Sequence, residues 1–238
     1  MKTVQSVSQR LHEHLGEVIA SAKTGERLPS EPELARRLGV SRATLREAMR
    51  TFETQGLIHR RHGAGTFVTR PSQVIESGLE VLESIETLAK RIGIPVAMGA
   101  MQIDHRYATP EEASALGLDG GKIIHLSRVI LAEGHPAAYL VDIVPEDILG
   151  PGDLTEGFTG SVLDLLLHKK SLLLSVSRCE ITATNATVEV ARSMSIQRGD
   201  VLMQFTAYLY TPAGRVVDYS FSYFLPGYFR FHVVRRVG

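Results

Sequence analysis

Val7, Leu11, Leu15, Val18 and Ile19 recur at three- and four-residue spacing and predict a helix over residues 6–22 that Gly25 ends. A short second helix is expected from Ser30 to about Leu38. Ser30 suits the N-cap, Glu31 and Glu33 the first turn, and Glu33 the acidic position of a near capping box. Pro32 is tolerable there because it lies in the first turn. After a Gly39-Val40-Ser41 turn, Leu45, Ala48, Met49 and Phe52 mark the buried stripe of a third helix that ends near Gln55-Gly56. Two short β patterns, residues 57–61 and 65–68, then flank His62-Gly63-Ala64 as a small hairpin or wing. Two helices across a tight turn outline a helix-turn-helix.

Residues 69–78 are polar, contain Pro71, and predict a linker. Leu82, Ile85, Leu88 and Ala89 predict a helix over residues 79–92. Strand patterns then dominate: residues 101–107, a hairpin of 122–132 and 137–144 around Glu133-Gly134-His135-Pro136, and runs at 172–184, 201–210, 216–225 and 228–236. Short helices are expected at 110–116, 161–168 and 188–194. The chain is therefore divided into a helical head with a wing (residues 1–70), a linker (71–80) and an α+β domain with a largely antiparallel sheet (81–238).

The 238 residues suit one large or two small domains. The formal net charge of zero hides an asymmetry. Residues 1–70 hold twelve Lys and Arg against seven Glu and no Asp; the rest holds fourteen against nineteen acids. A basic head on an acidic domain points to nucleic acid. Cys179 is the single cysteine, so an internal disulfide and a cysteine-built zinc site are excluded. No apolar run reaches the ~20 residues of a membrane span, and the first ten residues lack the apolar core of a signal peptide. A cytoplasmic protein with no membrane association is expected, with no cofactor and no metal. His105, His125, His135, His168 and His232 show no helical ligand spacing.

The third helix carries Arg42, Thr44, Arg46 and Arg50 early on its surface, the chemistry that meets base edges and phosphates in a major groove. The run LPSEPELARRLGVSRATLREAMRTFETQGLIHRRHGAGTFV resembles the winged helix-turn-helix of the GntR family of bacterial transcription regulators. The resemblance implies DNA contacts at Arg42, Thr44 and Arg46 of the recognition helix and at His62 and Gly63 of the wing. Pro32 stands where many members carry Arg, and Ala43 where many carry Thr, so the operator sequence is expected to differ from theirs.

The strands of the second domain argue against the family's all-helical, metal-binding effector domains, and the chain is too short for the group with a fused aminotransferase. The runs RVILAEGHPAAYLVDIVP, GSVLDLLL and RVVDYSFSYFLPGYFRF resemble the UTRA domain of the HutC subfamily. This implies a chorismate-lyase-like fold, a small-molecule sensor and a homodimer formed through this domain. Arg128 shares a strand face with Ile124, Leu126 and Ile130, and a lone arginine there needs an anionic partner, either a ligand or a residue such as Asp142 or Glu180. Ser161 opens a helix with Asp164 three residues on, read equally well as a plain cap or as an anion site. Arg178, at the parity of Leu174 and Val176, and Asp218, at that of Ser220 and Ser222, match approximate UTRA pocket positions, while Tyr208 and Tyr228 read either as cavity-lining or as packing residues. The expected effector residues are thus Arg128, Asp142, Ser161, Arg178, Asp218 and Tyr228, facing a small metabolite with an anionic group. Members that bind phosphorylated sugars often have a Ser-Arg pair soon after the Gly-x-Pro that opens the domain. Here Gly93-Ile94-Pro95 leads to Ala97-Met98-Gly99, which leaves the ligand class open.

The reading is a dimeric, ligand-responsive regulator, expected to be a repressor, on double-stranded operator DNA. A lyase-like enzyme carrying a DNA-binding module and a regulator with no small ligand are the alternatives. No catalytic residue is expected, because nothing pairs a nucleophile with a base.

Overall fold

The computed structural model describes residues 7–23, 25–54, 57–61, 64–68, 74–154, 158 and 160–235. The head follows the sequence pattern closely. Helices α1 (Val7–Ser21), α2 (Glu31–Arg37) and α3 (Arg42–Thr54) pack against the antiparallel hairpin of β1 (Ile58–Arg61) and β2 (Gly65–Val68). Leu15, Ile19, Leu34, Leu45, Met49, Phe52, Ile58 and Val68 form its core. The segment before α2 joins the wing: the Leu28 amide donates to the Thr66 carbonyl at 2.8 Å and that of Gly25 to Val68 at 2.8 Å. Ser30 occupies the N-cap of α2, but its side chain accepts no capping hydrogen bond, so the near capping box does not form. Glu33 instead pairs with Arg37 one turn on, at 2.5 Å.

Two expectations fail where head and second domain meet. The second half of the expected linker is a strand, β3 (Ile75–Gly78), with Ile75 buried. Four residues are too few for an alternating pattern to register. The helix expected over 79–92 is shorter, α4 (Ile85–Ile92). Leu79, Val81 and Leu82 stay exposed ahead of it, while Ser84 takes the N-cap and accepts the Thr87 amide at 3.0 Å.

The second domain is a six-stranded antiparallel sheet. Its strands are β4 (Val96–Tyr107), β5 (Lys122–Ala132), β6 (His135–Pro145), β7 (Val176–Asn185), β8 (Val201–Tyr210) and β9 (Val216–Phe224), in the order β4-β5-β6-β9-β8-β7. The β5–β6 turn needs only Glu133 and Gly134, both at positive φ (51° and 79°), a geometry that matches strand twist. His135 and Pro136, expected in the loop, therefore belong to β6. The last strand, β10 (Phe229–His232), leaves the sheet and pairs in parallel with β3. Helices α5 (Pro110–Leu116), α6 (Val162–His168) and α7 (Val188–Met194) lie where the sequence puts them. Each starts on a hydroxyl cap, Thr109, Ser161 and Thr187. One core cluster joins β5, β6 and β9 to α4 and α7; a second gathers Ile124, Leu126, Val144, Leu149, Leu209 and Val217 under Val162 and Leu166 of α6.

Candidate functional site

Two polar constellations stand out against these cores. The first is the exposed start of α3. Ser41 caps it, accepting the Thr44 amide at 3.1 Å, and its Oγ lies 2.8 Å from Thr44 Oγ1. Thr44 thus contributes to holding the helix start. Arg42 is exposed with no ion-pair partner among the described residues. Arg46 is also exposed, but its Nε donates to Glu31 Oε2 of α2 at 2.7 Å, and its carbonyl accepts Arg60 Nη2 of the wing at 3.3 Å. One guanidinium is therefore free and the next is held on the neighbouring helix. His62 and Gly63, expected at the wing tip, lie outside the described residues. Behind this surface, Glu53 is buried, and burial raises its pKa against the lowering pull of Arg60. Gln197, next to β8 of the second domain, donates to Glu53 at 3.4 Å. Arg42, Arg46 and Arg50 border a cleft whose opposite wall includes Arg192, Ser195 and Gln197.

The second constellation lies in the middle of the six-stranded sheet. Arg128 on β5 is 4% exposed and Asp142 on β6 is 7% exposed. Arg128 Nη1 donates to Asp142 Oδ2, and its Nε donates to the Gly160 carbonyl just before α6. Of the partners the sequence left open for Arg128, the structure uses Asp142; Glu180 lies on the edge strand β7, exposed. Asp218 on β9 is 7% exposed and shares their sheet face, because Asp142 is opposite Ser220, two residues away. Its Oδ1 has no hydrogen-bond partner among the described residues. Burial, then the charge of Asp142, raise its pKa well above the ordinary carboxylate range, only partly offset by Arg128 and by donors at Ser220 and Ile143.

Two helix starts close over this cluster. Ser161 is buried and its Oγ accepts the Asp164 amide at 3.0 Å, so the cap is realised. Ser84 at the start of α4 donates to Asp164 Oδ2 at 2.7 Å and ties α4 to α6. Glu86 of α4 interacts electrostatically with Arg128, Asp164 and Asp142; burial raises its pKa, and its Oε1 is buried without a hydrogen-bond partner among the described residues. Sequence reasoning missed Ser84, Glu86 and the Gly160 carbonyl. A Ser at 84 with an acid two residues on is a helix-start signal, but it was hidden under the apolar period that begins at Leu79.

Two expected effector residues are not brought to this cluster. Across the sheet, Arg128 is in line with Leu140, Ser222, Phe205 and Ile181. Arg178 is three residues from Ile181, hence on the opposite face, and four strands from Arg128, about 19 Å at the usual strand spacing. Tyr228 is buried in the other core cluster, where Glu133 is its acidic neighbour, and burial raises its pKa. A resemblance places such residues along the chain, while the strand order decides which face and which strand they reach.

The raised pKa of Asp218 carries a sign. A carboxyl whose folded value exceeds its unfolded value of about 4 stabilises the fold fully below that value, and the contribution is lost as pH rises through the folded value. Asp218→Asn is thus expected to raise the melting temperature more at pH 8 than at pH 5. An equal shift at both pH values in thermal melts would show that Asp218 does not bury an unfavourable charge.

A winged helix-turn-helix whose third helix starts with an arginine that has no ion-pair partner among the described residues, joined to a sheet domain with a buried polar cluster incompletely satisfied among those residues, defines a class: DNA-binding regulators with a ligand-sensing domain. Comparison with known proteins gives the family. Residues 3–68 match the bacterial regulatory proteins of the gntR family, and residues 86–230 match the UTRA domain. The chain belongs to the GntR family of transcription regulators, with a UTRA effector domain of the HutC type. It is 34% identical over 188 residues to the HTH-type transcriptional repressor NagR of Bacillus subtilis, covering 76% of this chain and 75% of that one. It is 28% identical over 177 residues to the histidine utilization repressor of Pseudomonas putida, covering 73% and 69%. PhnF from Mycobacterium smegmatis shares the fold, with a TM-score of 0.62 at 20% identity over 96% of this chain and 100% of that one. The match is to regulators, not to enzymes. No helix among the described residues is long and apolar enough to cross a membrane.

Proposed function

We propose that the protein is a cytoplasmic, homodimeric repressor whose head, residues 1–70, binds a pseudo-palindromic operator and whose sensor, residues 81–238, releases it when a small metabolite binds. The observation that carries the sensor reading is the Arg128–Asp142–Asp218 cluster. A buried carboxylate oxygen without a partner is costly to fold around and marks a site built for something else to complete. Arg128, Asp142, Ser161 and Asp218 are the effector contacts, with Glu86 added. An anionic group on the effector has to compete with Asp142 for the guanidinium. The surrounding carboxylates favour a ligand that also presents hydrogen-bond donors. On the DNA side, Arg42, Thr44 and Arg46 are the recognition-helix contacts, and His62 and Gly63 those of the wing. The repressor names of the relatives, NagR and the histidine utilization repressor, support the direction of control.

The effector has to bind the released and the operator-bound arrangements with different affinity, or it shifts nothing. Selection of bound fragments from random DNA, followed by footprinting, should yield a two-fold symmetric site. A metabolite library screened by melting temperature should then give compounds that stabilise the protein and lift it from that site. Enrichment of no symmetric sequence would overturn the operator reading. Stabilising compounds that leave the DNA complex intact would overturn the sensor reading.

A further inference from the structure

Strand β7 ends the sheet, and it is an unusual edge. The opposite edge strand, β4, is blunted by an irregularity between Met98 and Met101 that breaks its register. β7 has none: its pairing to β8 runs unbroken from Val176 to Asn185. Almost every residue of β7 is exposed, on both faces, with Val176 at 61% and Ile181 at 42%. A ten-residue, regular strand whose outer edge has no partner among the described residues, with exposed apolar side chains, is a template for another strand.

Its sequence says which strand. A two-fold axis perpendicular to a sheet keeps every side chain on its own face, so in an antiparallel pair of identical strands the axis passes through a residue and not between two. An axis at Arg178 sets arginine against arginine, and one at Glu180 sets glutamate against glutamate. An axis at Ile181 puts Arg178 against Thr184 and Glu180 against Thr182, with no ion pair. Only the axis at Cys179 places opposite charges directly across from each other, twice. It also covers Ile181 with Ser177 and Val176 with Thr182. Arg178 and Glu180 are exposed, and neither side chain has an ion-pair partner among the described residues, so both are available.

We propose that β7 pairs antiparallel with β7 of a second copy of this chain about a two-fold axis at Cys179, with each protomer's Arg178 facing the partner's Glu180. The proposal rests on the homodimer reading above and gives it a surface. It also assigns Arg178, whose position excludes it from the Arg128 cluster, to assembly. The two sensor sheets become one continuous sheet across the axis.

Full-length protein is tested by sedimentation over a dilution series, and by mild oxidation followed by a non-reducing gel. Paired residues across an antiparallel ladder lie about 4.5–5.5 Å apart at Cα, within disulfide range. Wild type is expected to form a covalent dimer through Cys179, and Cys179→Ser none. Arg178→Glu and Glu180→Arg each turn two attractive pairs repulsive and should weaken the dimer on the order of tenfold. The double variant Arg178→Glu with Glu180→Arg should restore it. A wild-type protein that is monomeric throughout the series overturns both the homodimer reading and this one. A stable dimer that does not cross-link at Cys179, and whose affinity neither single reversal changes, keeps the homodimer and overturns the β7 axis.

Discussion

Arg128→Ala is expected to lower the stability of the sensor domain by about 3–5 kcal/mol, because removing one member of a buried ion pair strands the other. Asp142 would lose its counter-charge with Asp218 beside it on the same face, and the Gly160 carbonyl would lose its donor. For a domain of this size each kcal/mol is worth about 2–4 °C, so the melting temperature should fall by roughly 10 °C. Loss of effector response in such a variant would not separate binding from folding. The informative companion is Arg128→Met with Asp142→Leu, which removes both charges and fills the space with apolar atoms. Replacing a buried pair in this way is close to neutral for stability. The double variant should therefore fold, bind operator and ignore the effector. An Arg128→Ala protein that melts with wild type would show the pair to be solvent-screened. A folded double variant still released at the wild-type effector concentration would remove the pair from the sensor.

Arg42→Ala is expected to cost about 1–3 kcal/mol of specific operator affinity, roughly five- to 150-fold, with relaxed selectivity at one base pair per half-site. Arg42 is exposed and unpaired among the described residues, so it meets DNA without first breaking a contact. Arg46 differs, because Glu31 already holds its guanidinium at 2.7 Å and operator binding has to share or displace that bond. Arg46→Ala should therefore cost less in affinity. Glu31→Gln, which frees Arg46, should tighten non-specific binding and steepen its salt dependence. Footprinting and titration at two salt concentrations measure all three. Unchanged affinity in Arg42→Ala on the wild-type operator would take the start of α3 out of the interface.

The head was legible in the sequence because its signals are local. The apolar stripes of α1 and α3 and the turn that ends at Ser41 each act within a turn or two of helix, and the structure keeps them. The sheet domain was legible in its elements but not in its neighbours. Hairpin β5–β6 announces itself through Glu133-Gly134, yet the order that sets β9 between β6 and β8 has no local signature. That order decides which carboxylates meet Arg128. It brings Asp218 next to Asp142 from 76 positions down the chain and sends Arg178 to the far edge. Glu86 joins the cluster only because α4 and α6 start at the same place, which Ser84 and Asp164 bind together. β3 gives no strand signal of its own because its partner, β10, lies far down the sequence, with Ile75 opposite Phe229.

That last pairing joins residues 75–78 to residues 229–232. β2 ends at Val68 and β3 begins at Ile75, and from Ile75 onward the chain is fastened to β10. The covalent connection between Val68 and Ile75 can therefore span at most about 25 Å. On the two-headed operator proposed above, a span of that length would allow only a narrow range of distances between the heads, and so would work as a ruler for half-site spacing. Unzipping β10 would lengthen that connection by the whole of β3 and blur the ruler. The β3–β10 pairing would thus limit how far the proposed heads can separate, and inserting glycine and serine after Val68 should let the protein accept operators spaced more widely than its own.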